Sequence, residues 1–176
     1  MTPFLAFVLD QLGEQGFDFA VVSVGYRHEA IRGLFGDRFG RLILSYTVED
    51  RPLGTGGAIR LAARACSESD VFVLNGDSYV ELDFAQIVVD GSRIAGFAEK
   101  GMAGRALVNA GVYLMRRNLL EEMGLPDSFS FEQEVLADRL RQLRPLVYPG
   151  HGRFIDIGVP DDYARAQVLF RTWPAG

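Results

Sequence analysis

Asp77 follows a short apolar run, Val71 to Leu74, after Asn75 and Gly76, and Asp156 stands between Ile155 and Ile157 in a second apolar run. At the carboxyl end of a strand in an open α/β sheet, a carboxylate points into the ligand crevice. Inside an isoleucine-flanked strand it lies on the face opposite its neighbours and is partly desolvated, so it needs a cation or hydrogen-bond donors. Two such groups, distant in sequence, can share one Mg2+, an ion that favours a few carboxylates together with substrate phosphate oxygens. Taken alone, Asp77 is equally a turn residue or a helix cap, because Asp-Ser serves in both.

The second candidate is the glycine-rich stretch Gly54-Thr55-Gly56-Gly57-Ala58, which precedes a helical pattern. Glycines permit positive φ and let a flat ring or a phosphate approach the main chain. The helix that follows offers free N–H groups at its start. An ordinary strand-to-helix turn has the same composition. A dinucleotide fingerprint is a rival, with Asp77 near the spacing of a ribose-binding acid, but the sixth position from Gly54 is Ile59, and Glu49 to Pro52 form a polar loop where a strand is required. His28 and His151 have no ligand partners at metal spacing, and Cys66 ends an Ala-rich helical run as a small apolar residue.

The elements that would position these residues follow from periodicity. Phe4, Leu5, Val8, Leu9 and Leu12 form a helical stripe between Pro3 and Gly16. Strand-like runs at Phe17 to Val24, Leu42 to Val48 and Val71 to Leu74 alternate with helices through Ala30 to Phe35 and Gly57 to Cys66. This alternation predicts an α/β fold with a doubly wound, mostly parallel sheet. Beyond residue 90, Arg93 to Glu99 and Leu107 to Met115 read as strands, as do Leu146 to Tyr148 and Phe154 to Ile157. A helix from Phe131 to Leu143 opens on the capping box Ser130-x-x-Gln133, and Pro160 begins a last helix. No repeat or linker divides the 176 residues, so one domain over 1–176 is expected.

Composition narrows the function. The 48% hydrophobic content supports a sizeable core, and the net charge of −5 without a basic run disfavours nucleic acid. An acidic chain that binds a nucleotide needs local cations, either placed basic residues or a divalent metal. No apolar run is long enough for a membrane span, no basic leader opens the sequence, and the single cysteine excludes an internal disulfide. A soluble, cytoplasmic protein without membrane partners is expected, with room for a homo-oligomer.

Five segments in order resemble the sugar-1-phosphate nucleotidyltransferases, closest to the guanylyltransferases of heptose and mannose 1-phosphates. Pro52 to Ala58 resembles their nucleotide-base segment and Leu74 to Asp77 their first metal aspartate. Phe97-Ala98-Glu99-Lys100 is similar to the sugar-phosphate motif, Asn109 to Tyr113 to the sugar-contacting strand, and Phe154 to Tyr163 to the second metal segment. The resemblance implies a Rossmann-like nucleotidyltransferase fold and transfer of a nucleotidyl group, GMP from GTP, to a sugar 1-phosphate with release of pyrophosphate. It further implies that Asp77 and Asp156 hold Mg2+ and that Lys100 holds the sugar phosphate, these three forming the catalytic set. Leu53, Gly54, Thr55, Gly56 and Asn75 would contact the nucleotide, the base largely through the backbone of Gly54 and Thr55. Gly76, Glu99 and Asn109 would contact the sugar.

Three features depart from the family pattern. The sequence opens on the helix that follows the family's triphosphate loop, which implies a form truncated at its N-terminus with weak or no transfer. Only 22 residue steps separate Asp77 from Glu99, too few for the family's intervening helix and strand. Val159 also stands where the family has a hydroxyl cap for the last helix. Two other functions share these motifs: a non-catalytic nucleotide-sugar-binding or regulatory module, and a glycosyltransferase of similar architecture. The latter normally carries two aspartates around one residue, where Asn75-Gly76-Asp77 offers one.

Overall fold

The computed structural model of the protein describes residues 2–87, 92–93, 108–150 and 152–171. In chain order, the first half forms α1 (Phe4–Glu14), β1 (Phe19–Val24), α2 (His28–Phe35), β2 (Arg38–Phe39), β3 (Leu42–Val48), α3 (Gly54–Ala63), β4 (Asp70–Leu74) and β5 (Ser78–Val80). The second half adds β6 (Ser92–Arg93), β7 (Val112–Arg116), α4 (Leu119–Glu122), α5 (Leu140–Leu143), β8 (Leu146–Val147), β9 (Phe154–Asp156) and α6 (Pro160–Arg171). No helix among the described residues is long and apolar enough to cross a membrane.

The α/β class is the expected one, and the strand pairing gives it detail. β1 runs parallel to β3 from Phe19↔Ile43 to Val24↔Val48, the ladder expected of a β-α-β unit with α2 as its crossover. The remaining pairs among the described residues are antiparallel: β2 with β3, β4 with β7, β5 with β9 and β6 with β8. β7 begins at Val112 rather than Leu107. Gly111 has φ +71, and the Asn109 side chain bonds the Gly111 N–H at 3.1 Å, a local turn that precludes an extended strand there. Of the expected strand Arg93 to Glu99, all but its first residue lies outside the described residues.

The periodic stripe of α1 became its buried face, with Val8, Leu9 and Leu12 inside. Leu9 and Leu12 meet Phe35, Leu42, Leu44 and Phe84 in one core cluster, into which Phe17 and Phe72 pack edge-on with ring centroids 5.5 Å apart. A second cluster, Met115, Leu120, Phe129, Phe131, Val135 and Leu136, lies under α3 and β7. Val8, Tyr79, Ile155 and Ala166 form the third, which seats β5 and β9 against α1 and α6.

The helix expected over Phe131 to Leu143 is two pieces. Phe131–Ala137 is π-helical, with the Asp138 N–H on the Gln133 carbonyl at 2.9 Å, and α5 follows separately. The cap is correspondingly shifted. Ser130 Oγ accepts from the Gln133 N–H at 3.2 Å as expected, but the return bond to the Ser130 N–H comes from Glu134 at 2.6 Å, one residue later than in the α-helical motif.

Candidate active site

The short ladder between β5 and β9 carries the two aspartates to one place. Ser78 pairs with Asp156 in register, and the Ile157 N–H reaches the Asp77 carbonyl at 2.8 Å. The Ser78 hydroxyl, itself buried, lies 3.1 Å from Asp156 Oδ2 and 3.4 Å from Asp77 Oδ1. Its one proton can serve either carboxylate. Asp156 Oδ1 takes the Gly158 N–H at 2.7 Å. Asp77 is exposed and Asp156 half-buried, and among the described residues neither forms an ion pair with an arginine.

This donor set fits a hard divalent cation. The described residues contain no cluster of three or more His, Cys, Asp or Glu side chains that could hold a metal by themselves. Mg2+ does not require one, since it is commonly held by one or two carboxylates with water and phosphate oxygens completing its shell. Ser78 is the member of this group that sequence reading missed. Its signal was its position: the residue after Asp77 faces the β5–β9 ladder, on the side of Asp156.

The glycine-rich turn is built against the segment 125–131. α3 starts at Gly54, which has φ +69, so its first turn is part of the expected base segment. The Gly56 N–H donates to the Phe129 carbonyl at 3.0 Å, and the Phe129 N–H to the Leu53 carbonyl at 2.9 Å. A Cβ on Gly54 would stand 2.5 Å from the Phe129 carbonyl oxygen, one on Gly57 2.5 Å from that of Asp127, and one on Gly56 would enter the Phe129 ring. Gly56 and Gly57 are therefore small to admit the protein's own chain. Arg60 secures the same segment, donating to the Leu125 and Pro126 carbonyls at 2.9 and 2.8 Å with its guanidinium 5.1 Å from the Phe129 ring centroid.

The Thr55 hydroxyl is already committed. It donates to Glu132 Oε2 at 2.7 Å and accepts from the Phe131 N–H at 2.8 Å. What Thr55 offers a ligand is its backbone. Upstream, Glu49 Oε2 accepts from the Leu53 N–H at 2.9 Å and fixes the entry to the turn. Glu49 and Glu132 were not singled out from the sequence; a carboxylate five residues before Gly54 was the only available sign of the first.

The third group gathers at the end of β4. The Asn75 N–H bonds the Gly111 carbonyl at 3.0 Å, and the Asn75 side chain lies so close to Gly111 that a Cβ there would sit 2.5 Å from its amide nitrogen. Asn109 Nδ2 donates to the Tyr113 hydroxyl at 2.8 Å, and the Tyr113 ring packs on Phe131 at 4.8 Å. Burial pushes the Tyr113 phenol up, against the hydrogen bond from Asn109 that favours ionisation. Asn109 is thus tied through Tyr113 and Phe131 to Thr55. Gly76 is exposed with nothing within 4 Å of a Cβ position. Glu99 and Lys100 lie outside the described residues, as does His151. The 320 Å3 cavity between α1 and α6, lined by Phe4, Phe7, Tyr163 and Phe170 among others, includes none of the expected site residues.

The chain is 33% identical over 192 positions to the D-glycero-alpha-D-manno-heptose 1-phosphate guanylyltransferase of Aneurinibacillus thermoaerophilus, covering 94% of this chain and 84% of that protein. The protein of the same name from Campylobacter jejuni is 31% identical, with 92% and 83% covered. The chain belongs to this family of sugar-1-phosphate guanylyltransferases. It is an enzyme-family member with a Rossmann-like nucleotidyltransferase fold. Among solved structures, HddC from Yersinia pseudotuberculosis complexed with GMP-PN superposes with a TM-score of 0.80 at 27% identity, covering 96% of this chain and 86% of that one. No protein-family model matches the chain. The alignment with the Aneurinibacillus protein is longer than the chain's own 176 residues, so that relative carries internal positions with no counterpart here.

Proposed function

We propose that this guanylyltransferase-family chain binds GTP and a heptose-type sugar 1-phosphate and transfers GMP between them, with the site centred on Asp77 and Asp156. The observation that carries this reading is the convergence of the two carboxylates on the Ser78 hydroxyl at 3.1 and 3.4 Å, with no arginine among the described residues paired to either. Asp77 and Asp156 would hold Mg2+, which when bound screens the two anionic reactants and stabilises charge developing on the transferred phosphoryl group. The chain's own residues position the partners. Leu53 to Gly56 presents backbone to the base, and the flanking carboxylate Glu49 suits a base with adjacent N–H donors, as guanine has. Asn75, Gly76 and Asn109 lie where β4 ends and β7 begins and would meet ribose or sugar hydroxyls. Lys100, with Glu99 beside it, would place the sugar phosphate as a compact point charge.

The test is calorimetric titration of GTP with Mg2+ or Mn2+ into the chain, alongside a pyrophosphate-release assay with heptose and mannose 1-phosphates. Asp77→Asn and Asp156→Asn should each remove the metal-dependent part of binding while the unfolding midpoint stays within about 0.5 kcal/mol of the parent, as for other exposed or half-exposed changes. Lys100→Met should raise the KM for the sugar 1-phosphate and leave GTP binding intact. Metal-dependent GTP binding that survives both aspartate changes would overturn the assignment. Binding of a nucleotide sugar with no pyrophosphate release under any pairing would favour a non-catalytic binding module instead.

A further inference from the structure

We infer that Glu132 is a positioning residue for nucleotide binding, acting through the Thr55 hydroxyl to set the backbone of the Gly54–Gly56 turn. The inference rests on the reading of that turn as the base-binding segment and adds a residue to it. The geometry is a closed relay of hydrogen bonds. Glu132 Oε2 accepts from Thr55 Oγ1 at 2.7 Å and from Ser130 Oγ at 3.2 Å, while Thr55 Oγ1 accepts from the Phe131 N–H at 2.8 Å and Ser130 Oγ from the Gln133 N–H at 3.2 Å. Each hydroxyl therefore spends its single proton on one carboxylate oxygen and fills a lone pair with a backbone N–H. Bonds of this kind to an ionised acceptor are about twice as strong as neutral ones.

The relay settles how the first turn of α3 faces the solvent. With the Thr55 hydroxyl bonded to Glu132, the N–H groups of Thr55 and Gly54 find no partner among the described residues, whereas the Gly56 N–H is taken by Phe129. Two adjacent donors are left for a ligand. Releasing Thr55 would loosen the turn that aims these two N–H groups, because residue 55 is tied to the 131–132 segment through its bonds with Glu132 and the Phe131 N–H. Through Phe131, which meets edge-on the ring of Tyr113, whose hydroxyl holds Asn109, the same turn adjoins the expected sugar contact.

The experiment uses the full 176-residue chain with GTP as probe. Glu132→Ala and Thr55→Val should each weaken GTP binding about tenfold, and the double variant should be no weaker than either alone, since both cut one bond. Glu132→Gln, whose amide oxygen still accepts from Thr55, should stay within about twofold of the parent. Amide hydrogen exchange at Phe131, whose N–H bonds the Thr55 hydroxyl, should quicken in the unliganded Glu132→Ala protein and not in Glu132→Gln. A purely structural tie would lower the urea midpoint of Glu132→Ala and leave its GTP affinity unmoved, which overturns the inference. So would additive losses in the double variant, or a Glu132→Gln as weak as Glu132→Ala. A parent chain that takes up no GTP at all refutes the broader proposal of function, a result distinct from any of these.

Discussion

Replacing Gly54 with alanine separates the two reasons a glycine can stand at a nucleotide turn. Gly54 has φ +69, and a Cβ there would meet the Phe129 carbonyl oxygen at 2.5 Å and its carbon at 3.0 Å. Both atoms are backbone, so no side chain can swing aside. A left-handed conformation costs an L-residue about 1 kcal/mol. Relief of the contact means parting residue 54 from residue 129, which breaks the bonds of Gly56 N–H to Phe129 and Phe129 N–H to Leu53, each worth about 1 kcal/mol net. The expected loss is about 3 kcal/mol, or a fall of about 6–12 °C in Tm for a domain of this size. Gly76→Ala is the control: nothing lies within 4 Å of its Cβ position and its φ is not positive, so the change should fall within about 0.5 kcal/mol of the parent. Urea unfolding followed by far-UV circular dichroism reads both. Coincident midpoints for the two variants would refute the argument that Gly54 is required by the protein's own packing before any ligand arrives.

Two further outcomes follow from the same structure. Leu120 is 1% exposed in the cluster that backs Phe129 and Phe131, so Leu120→Ala should cost about 3 kcal/mol in urea unfolding; a loss under about 1 kcal/mol would mean the cluster closes around the cavity. Burial pushes the Cys66 thiol up, with Arg117 opposing more weakly, so at any pH near 8 less of it is thiolate in the folded chain than in the unfolded one. Alkylation by iodoacetamide at pH 8 should accordingly be slower in native protein than in urea, and a native rate equal to the unfolded rate would contradict that.

The elements carried by local pattern were legible. The α1 stripe, the β1–α2–β3 unit and the start of α6 at Pro160 all follow from periodicity and from Gly or Pro punctuation. The π-helical turn at Phe131 was not, because its apolar positions satisfy an α-helical template equally well; the i to i+5 bond from Asp138 to Gln133 is a tertiary outcome, set by Phe131 and Val135 reaching the same cluster. The antiparallel pairing of β4 with β7 was equally hidden, since a short, continuously apolar strand reads the same in either direction. Among the site residues, the aspartates could be found as isolated carboxylates in apolar strands. Ser78, Glu49 and Glu132 could not, because each acts by hydrogen-bonding a group that sequence spacing does not place beside it.

The same contrast explains what sets the distance between the two halves of the site. The glycine-rich turn follows β3 and the aspartate motif follows β4, yet among the described residues no ladder joins the β1–β3–β2 sheet to the β4–β7 pair. Side chains do that work. Phe17 from the approach to β1, Phe72 from β4 and Phe84 beyond β5 meet edge-on in a triangle with centroids 5.1 to 5.5 Å apart, over the buried stripe of α1. From the other side, Arg60 and the Leu53–Phe129 bonds fasten α3 to the segment that leads into the cluster under β7. Backbone ladders fix register to a fraction of a residue, whereas aromatic contacts tolerate small shifts in stacking at little cost. A nucleotidyl transfer that brings two anions together between these halves would therefore find its adjustable dimension here, in the spacing of β1 and β4, while the geometry within each half stays fixed.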